Sequence, residues 1–280
     1  MIWEKLAKID RRWLFLFEAI VLILAIILGK TMTMKPAPET KKLFNFVENL
    51  PENKKVVLIS TDYDAASMPE LQPFLRAFLT HCFKKKIKVL LMGHWPAGVP
   101  IGMEALENVA KKMGAKYGED YLALGFRPGI TAVIVGIGKE IRDVFKVDYK
   151  YSKPIDEYPI MRGIHTYDNI GLVIGLEAGA VGESWIALAW GRFKANVAIA
   201  STAVVASDYY AYLQANQIVG LAGGLKGAAD YEYLVWKKYG VGKGWGLKAM
   251  IAQSAAQLYI ILMLLLGNLG YIMVTRRRKK

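Results

Sequence analysis

The chain has 280 residues, of which 54% are hydrophobic and 11% aromatic, a content that excludes disorder and exceeds that of an ordinary soluble domain. A single cysteine, Cys82, excludes an intramolecular disulfide, and three histidines without HExxH or CxxC spacing argue against a transition-metal enzyme. The net charge is +13, and in the middle of the chain it is mostly single lysines spread among acids, with no dense Arg/Lys stripe interleaved with aromatics, so nucleic acid is a poor partner.

Residues 1–12 are basic through Lys5, Lys8, Arg11 and Arg12, and "WLFLFEAIVLILAIILG" (13–29) follows with Glu18 as its only charge. A signal peptide begins in the same way, but no A-x-A-like site follows Gly29, so an uncleaved transmembrane helix is expected. At the far end, 251–274 contains "AAQLYIILMLLLGNLGYIMV", long enough at ~1.5 Å per residue to cross ~30 Å of hydrocarbon, and 275–280 is a basic tail. Both basic clusters lie on the terminal side of their apolar run. The positive-inside rule then predicts two spans of a cell membrane, cytoplasmic termini and an extracytoplasmic domain over 30–250. The alternative is one span and one helix lying on the membrane. The lysine-rich surface suits anionic headgroups, and with few glutamines it leans toward a prokaryotic, thermophilic source.

Inside 30–250 the pattern alternates. "KKLFNFVENL" reads as a short amphipathic helix and "KVVLIS" as a strand. "ELQPFLRAFLTHCFKKK" places Leu71, Phe74, Leu75, Phe78, Leu79, Cys82 and Phe83 on one helical face, behind a Ser67/Glu70 capping box. "KVLLMGHW" is a second strand and "GMEALENVAKKMG" a helix ending at Gly114. "TAVIVGIG", "IGLVIGLEAGA" and "NVAIASTAVVAS" supply three more strands, separated and followed by "KEIRDVF", "ESWIALAWGRF" and a long helical run from Asp208 to Gly240. The expected fold is α/β, an open, doubly wound, mainly parallel five-stranded sheet in a three-layer sandwich, flanked by the two membrane helices.

Ligands of such sheets sit beyond the carboxyl ends of the strands. That rule selects Asp62 and Asp64 after the first strand, His94 and Trp95 after the second, Glu177 after the fourth and Asp208 after the fifth. Two carboxylates at D-x-D spacing are chemically able to hold Mg²⁺ or Ca²⁺; they also cap strand-to-helix turns, which needs no ligand. The D-x-D pair resembles part of the haloacid dehalogenase phosphatase signature, without its hydroxyl or downstream acids, and part of that of metal-dependent sugar-nucleotide transferases. No G-x-G-x-x-G or G-x-S-x-G is present, and no cofactor is implied. Two features suggest an interface. Gly220/Gly224 and Gly223/Gly227 are small-xxx-small pairs suited to close helix approach. The segment 146–169 is a long irregular run offering Tyr149, Tyr151, Tyr158 and Arg162. These features point to a structural or ligand-sensing subunit of an oligomeric membrane assembly; the alternative is a membrane-tethered hydrolase or transferase using Asp62 and Asp64 with a divalent cation.

Overall fold

The computed structural model describes residues 10–28, 34–242 and 244–278. The chain divides into a unit spanning Met34–Gly246 and a second built from the described residues before and after it. Helix α1 (Arg11–Leu28) starts where the Asp10 carboxylate accepts the Arg12 N–H at 2.9 Å, an anion at a helix N-terminus. Its 18 described residues include the charged Arg11, Arg12 and Glu18, and an N-terminal membrane span is not shown among the described residues.

The central unit begins with α2 (Pro38–Glu48), which buries Leu43, Phe44 and Val47. Six strands follow: β1 (Val56–Asp62), β2 (Lys88–Gly93), β3 (Tyr121–Phe126), β4 (Leu172–Glu177), β5 (Val197–Ser201) and β6 (Leu221–Gly223). They form one parallel sheet in the order β3-β2-β1-β4-β5-β6. Between them run α3 (Met68–Lys84), α4 (Gly98–Met113), α5 (Ile130–Ile137), α6 (Ile141–Val144), α7 (Val181–Ser184), α8 (Gly191–Phe193), α9 (Ala203–Ala206) and α10 (Tyr210–Gln214), and α11 (Gly224–Tyr239) closes the unit. Alternate strand residues face opposite layers. Val57, Ile59 and Val89 pack with α2, α3, α4 and α11, whereas Leu58, Leu90 and Val173 pack under α5, α6 and the segment 155–170.

The α/β sandwich is thus as expected, with three differences in its parts. The sheet has six strands, not five. "TAVIVGIG" is not a strand but α5, in which Val133, Ile134 and Ile137 turn inward at helical spacing while Thr131 and Ala132 stay exposed. The strand in that part of the chain is β3, "YLALGF", widened by a bulge at Leu124. Finally, the run from Asp208 to Gly240 is not one long helix: β6 interrupts it, because Leu221 and Ala222 pair beside β5 in the core.

The four glycines therefore sit in four backbone settings. Gly220 precedes β6, Gly223 ends it, and Gly224 opens α11 with φ +57°. A Cβ on Gly220 would meet Leu43, on Gly223 Ala206, on Gly224 Ala203, and on Gly227 the Ala222 backbone at 2.7 Å. The close approach they allow lies within the subunit, because β6 packs beneath α2 and α11.

Helix α12 (Trp245–Arg278), which belongs to the second unit from Leu247 onward, has 34 residues, and its Trp245–Thr275 stretch is long and apolar enough to span a membrane. No other described helix meets that measure. Tyr259 donates to the Leu14 carbonyl of α1 at 2.9 Å.

Candidate functional site

In a sheet ordered 3-2-1-4-5-6, the direction of strand addition reverses between β1 and β4, and the crevice outside their carboxyl ends is where doubly wound folds bind ligands. Register brings particular residues to that point. Asp62 of β1 pairs with Glu177 of β4, and Glu177 pairs with Ser201 of β5. Adjacent strands lie about 4.8 Å apart, so the three side chains stand in a row on one face. That face is shared by Leu58, Val173 and Ile199, and all three polar residues are 0% exposed.

Each acid is held by local donors. Asp62 accepts Ser60 Oγ at 2.6 Å and the backbone N–H groups of His94 and Trp95 at 2.5 and 3.2 Å. It thereby ties the end of β1 to the loop after β2. Glu177 accepts the Gly182 N–H and the Tyr209 hydroxyl. Burial raises Glu177 to about 7, assisted by the nearby Asp62 charge and opposed by those two donors. Burial likewise pushes the Asp62 carboxyl up and the His94 imidazole down, in each case against the attraction of the other's charge.

Polar atoms remain unanswered around this row. His94 is 7% exposed, and its Nδ1 lies 3.2 Å from the Arg127 carbonyl. A carbonyl only accepts, so Nδ1 carries the proton and Nε2 is a bare acceptor. That Nε2 has no partner, nor do Trp185 Nε1 and Ser201 Oγ. The His94 and Trp185 rings are 5.7 Å apart. Trp185 opens a six-residue π-helix (Trp185–Trp190) between α7 and α8, a rare geometry that is frequent at functional sites. Trp95 is half-buried against Gly179, where a Cβ would stand 3.1 Å from the indole.

No known family model, curated protein or solved structure matches the chain.

Of the residues expected at a ligand site, the fold brings together Asp62, His94, Trp95 and Glu177. Asp64 and Asp208 do not join them, and both are exposed. Asp64 accepts the Ala66 N–H at 3.0 Å and the Ser67 N–H at 3.4 Å, capping the turn into α3, so D-x-D is not a paired ligand set. Asp62 is the last residue of β1, so the backbone has left the sheet before Asp64, which lies in the exposed turn that follows. Among the described residues, no group of three or more His, Cys, Asp or Glu is arranged to hold a metal ion. The Ser67/Glu70 capping box does not form: Ser67 makes no side-chain cap, and Glu70 accepts the Ala203 N–H at 2.8 Å.

The tyrosine-rich segment is organised from within. Asp148, 2% exposed, accepts the hydroxyls of Tyr117 and Tyr158 and the backbone N–H groups of Lys150, Tyr151 and Lys153. Tyr158 is consequently buried at 8% and not available to a partner, whereas Tyr149, Tyr151 and Arg162 are exposed. Ser60, Trp185 and Tyr209 were not legible as site residues. Each reads as ordinary core or helix until register and the π-turn bring it to the row.

Proposed function

We propose that the chain is a membrane-anchored binding subunit whose α/β domain takes a small polar ligand at the β1/β4 crevice. The observation that carries this reading is the set of unanswered buried groups, His94 Nε2, Trp185 Nε1 and Ser201 Oγ, beside Asp62 and Glu177 at the switch point. Buried polar atoms without partners are rare and costly, and a ligand or ordered water offering both a donor and an acceptor satisfies them. The acids are sealed in this state, so binding moves Trp95 off Gly179, and that movement is the signal a sensing subunit would pass on. Two spans, cytoplasmic termini and an extracytoplasmic domain remain the topology we favour, supported by the basic flanks at both ends. Assembly with other copies or membrane subunits is supported by the exposed Tyr149, Tyr151 and Arg162.

A second reading keeps the crevice but makes it an acid–base site of a tethered hydrolase or transferase. It is favoured by Glu177, whose value of about 7 suits proton transfer near neutrality. In this version Asp62 acts with Glu177 and not with Asp64.

The test is a thermal-shift screen of the detergent-extracted chain against amino acids, polyamines, monosaccharides and nucleosides. A ligand present at a hundred times its Kd stabilises the folded state by about 2.7 kcal/mol. A hit that Ser201→Ala and Asp62→Asn both abolish is the expected result. Stabilisation unchanged in both variants excludes the crevice, and turnover of a hit that Glu177→Gln removes would favour the enzyme.

A further inference from the structure

The opposite face of the sheet carries a separate feature. Helices α3 and α4, Glu232 of α11, and Val241, Gly242, Gly244 and Trp245 enclose a groove of about 540 Å³, within the ~300–1,000 Å³ of small-molecule sites. Met68, Pro69, Pro73, Val109, Met113 and Val241 give it an apolar wall. Its polar groups are arranged otherwise. Arg76 and Lys112 are exposed at its edge, and neither forms an ion pair among the described residues. Gln72 is 5% exposed; its Nε2 donates to the Ile101 carbonyl at 3.2 Å, and its Oε1 has no donor. Glu232, the acid of the lining, receives the Gly246 N–H at 3.1 Å. Trp245 forms one end, 54% exposed, and is the first residue of the stretch long and apolar enough to span a membrane. Tryptophan is enriched at the headgroup level of membrane helices, so on the membrane-anchored reading the groove directly precedes the span in the chain.

The geometry points to a binding site for an anionic phospholipid, with an acyl chain along the apolar wall and the phosphate at Arg76 and Lys112. A headgroup hydroxyl answers Gln72 Oε1, which makes phosphatidylglycerol the fitting chemistry and leaves phosphatidylcholine without a donor. Two cations and an unpaired buried acceptor distinguish this groove from a general apolar contact with the bilayer. The site is independent of the crevice but rests on the membrane-anchored reading.

Full-length protein in mild detergent is titrated with dioleoylphosphatidylglycerol or dioleoylphosphatidylcholine, and retained lipid is counted by native mass spectrometry. One phosphatidylglycerol should be held at least tenfold more tightly than phosphatidylcholine. Arg76→Gln with Lys112→Gln, both on exposed side chains, should erase that preference. Met113→Trp, which fills the groove, should lower retention of both lipids. Equal retention of the two lipids by the wild type overturns the site, as does a preference unchanged by the charge substitutions. A dimer mass lost in Met113→Trp would place a second copy in the groove and overturn it as well. Release of the protein from membranes by alkaline carbonate would refute the anchor itself, a result separate from the lipid count.

Discussion

Glu177 shows how one side chain acquires properties that its type does not carry. Burial raises it from the ordinary 4.5 to about 7, so the folded chain keeps a proton that the unfolded chain has already released. Between those values the folded state binds more protons, and stability falls as pH rises. Over the full interval the loss is about 3 kcal/mol. Glu177→Gln removes this dependence, at a roughly constant cost because an amide cannot accept from both Tyr209 and the Gly182 N–H. Denaturation midpoints from pH 4.5 to pH 8 should therefore decline more steeply in the wild type than in the variant, and parallel curves would refute the assignment. Asp148 goes the other way. Burial opposes its charge, but the Tyr117 hydroxyl and the Tyr151 and Lys153 N–H groups outweigh it and hold the carboxyl below its usual range. At this scale Asp62 and Glu177 were legible, because both are acids at the ends of apolar strands. Asp64 met the same description and differs only in lying two residues further on, where the backbone has left the sheet.

At the scale of elements, the helices with a one-sided apolar stripe formed as their periodicity requires, and α3 buries Leu71, Phe74, Phe78 and Cys82 together. Continuous apolar runs behaved otherwise. "TAVIVGIG" has no polar residue after Thr131 to mark a period, so β and α spacing fit it equally, and the tertiary environment decided for the helix. The glycines of 220–227 divide between β6 and α11 for a related reason: a three-residue strand is too short to leave a pattern, and it exists because the edge of β5 pairs with it. Gly227 lies against the Ala222 backbone, where no side chain can give way. Gly227→Leu should therefore destabilise the chain by at least the ~1–3 kcal/mol of overpacking, read from the urea midpoint. Unchanged stability with a lower oligomeric mass would instead return this position to an interface. The pair of His81 and Glu48 shows packing of the same order. His81 stacks on Phe44, bonds Tyr231 and Glu48, and is driven by burial to about 4, so it is neutral at physiological pH.

For the whole molecule, the proposed anchoring is tested by which side of a membrane the α/β unit would face. Charge bias predicts that a reporter after Lys280 is cytoplasmic and that a tag near the exposed Lys153 is cut by protease added to intact cells. Protection of that tag would reverse the topology, although it would leave the fold and the crevice untouched. A single crossing by α12, with α1 lying on the membrane surface, would leave the reporter and the tag where the two-span arrangement puts them and move only the N-terminus to the side of the α/β unit; fluorescence reporters at both ends resolve the two cases.

Composition and periodicity alone determined the fold class, the long apolar helix near the C-terminus and the helices with a buried stripe, because each depends on local hydrophobic pattern that water reads the same way in any context. Strand order, the identity of β3 and β6, and the meeting of Asp62 with Glu177, Ser201 and the unanswered nitrogens of His94 and Trp185 were decided only by the tertiary structure. Those residues are up to 139 positions apart from Asp62 to Ser201 in the numbering. Their neighbourhood arises from parallel register across strands, which is set by the packing of both layers and has no trace in local sequence.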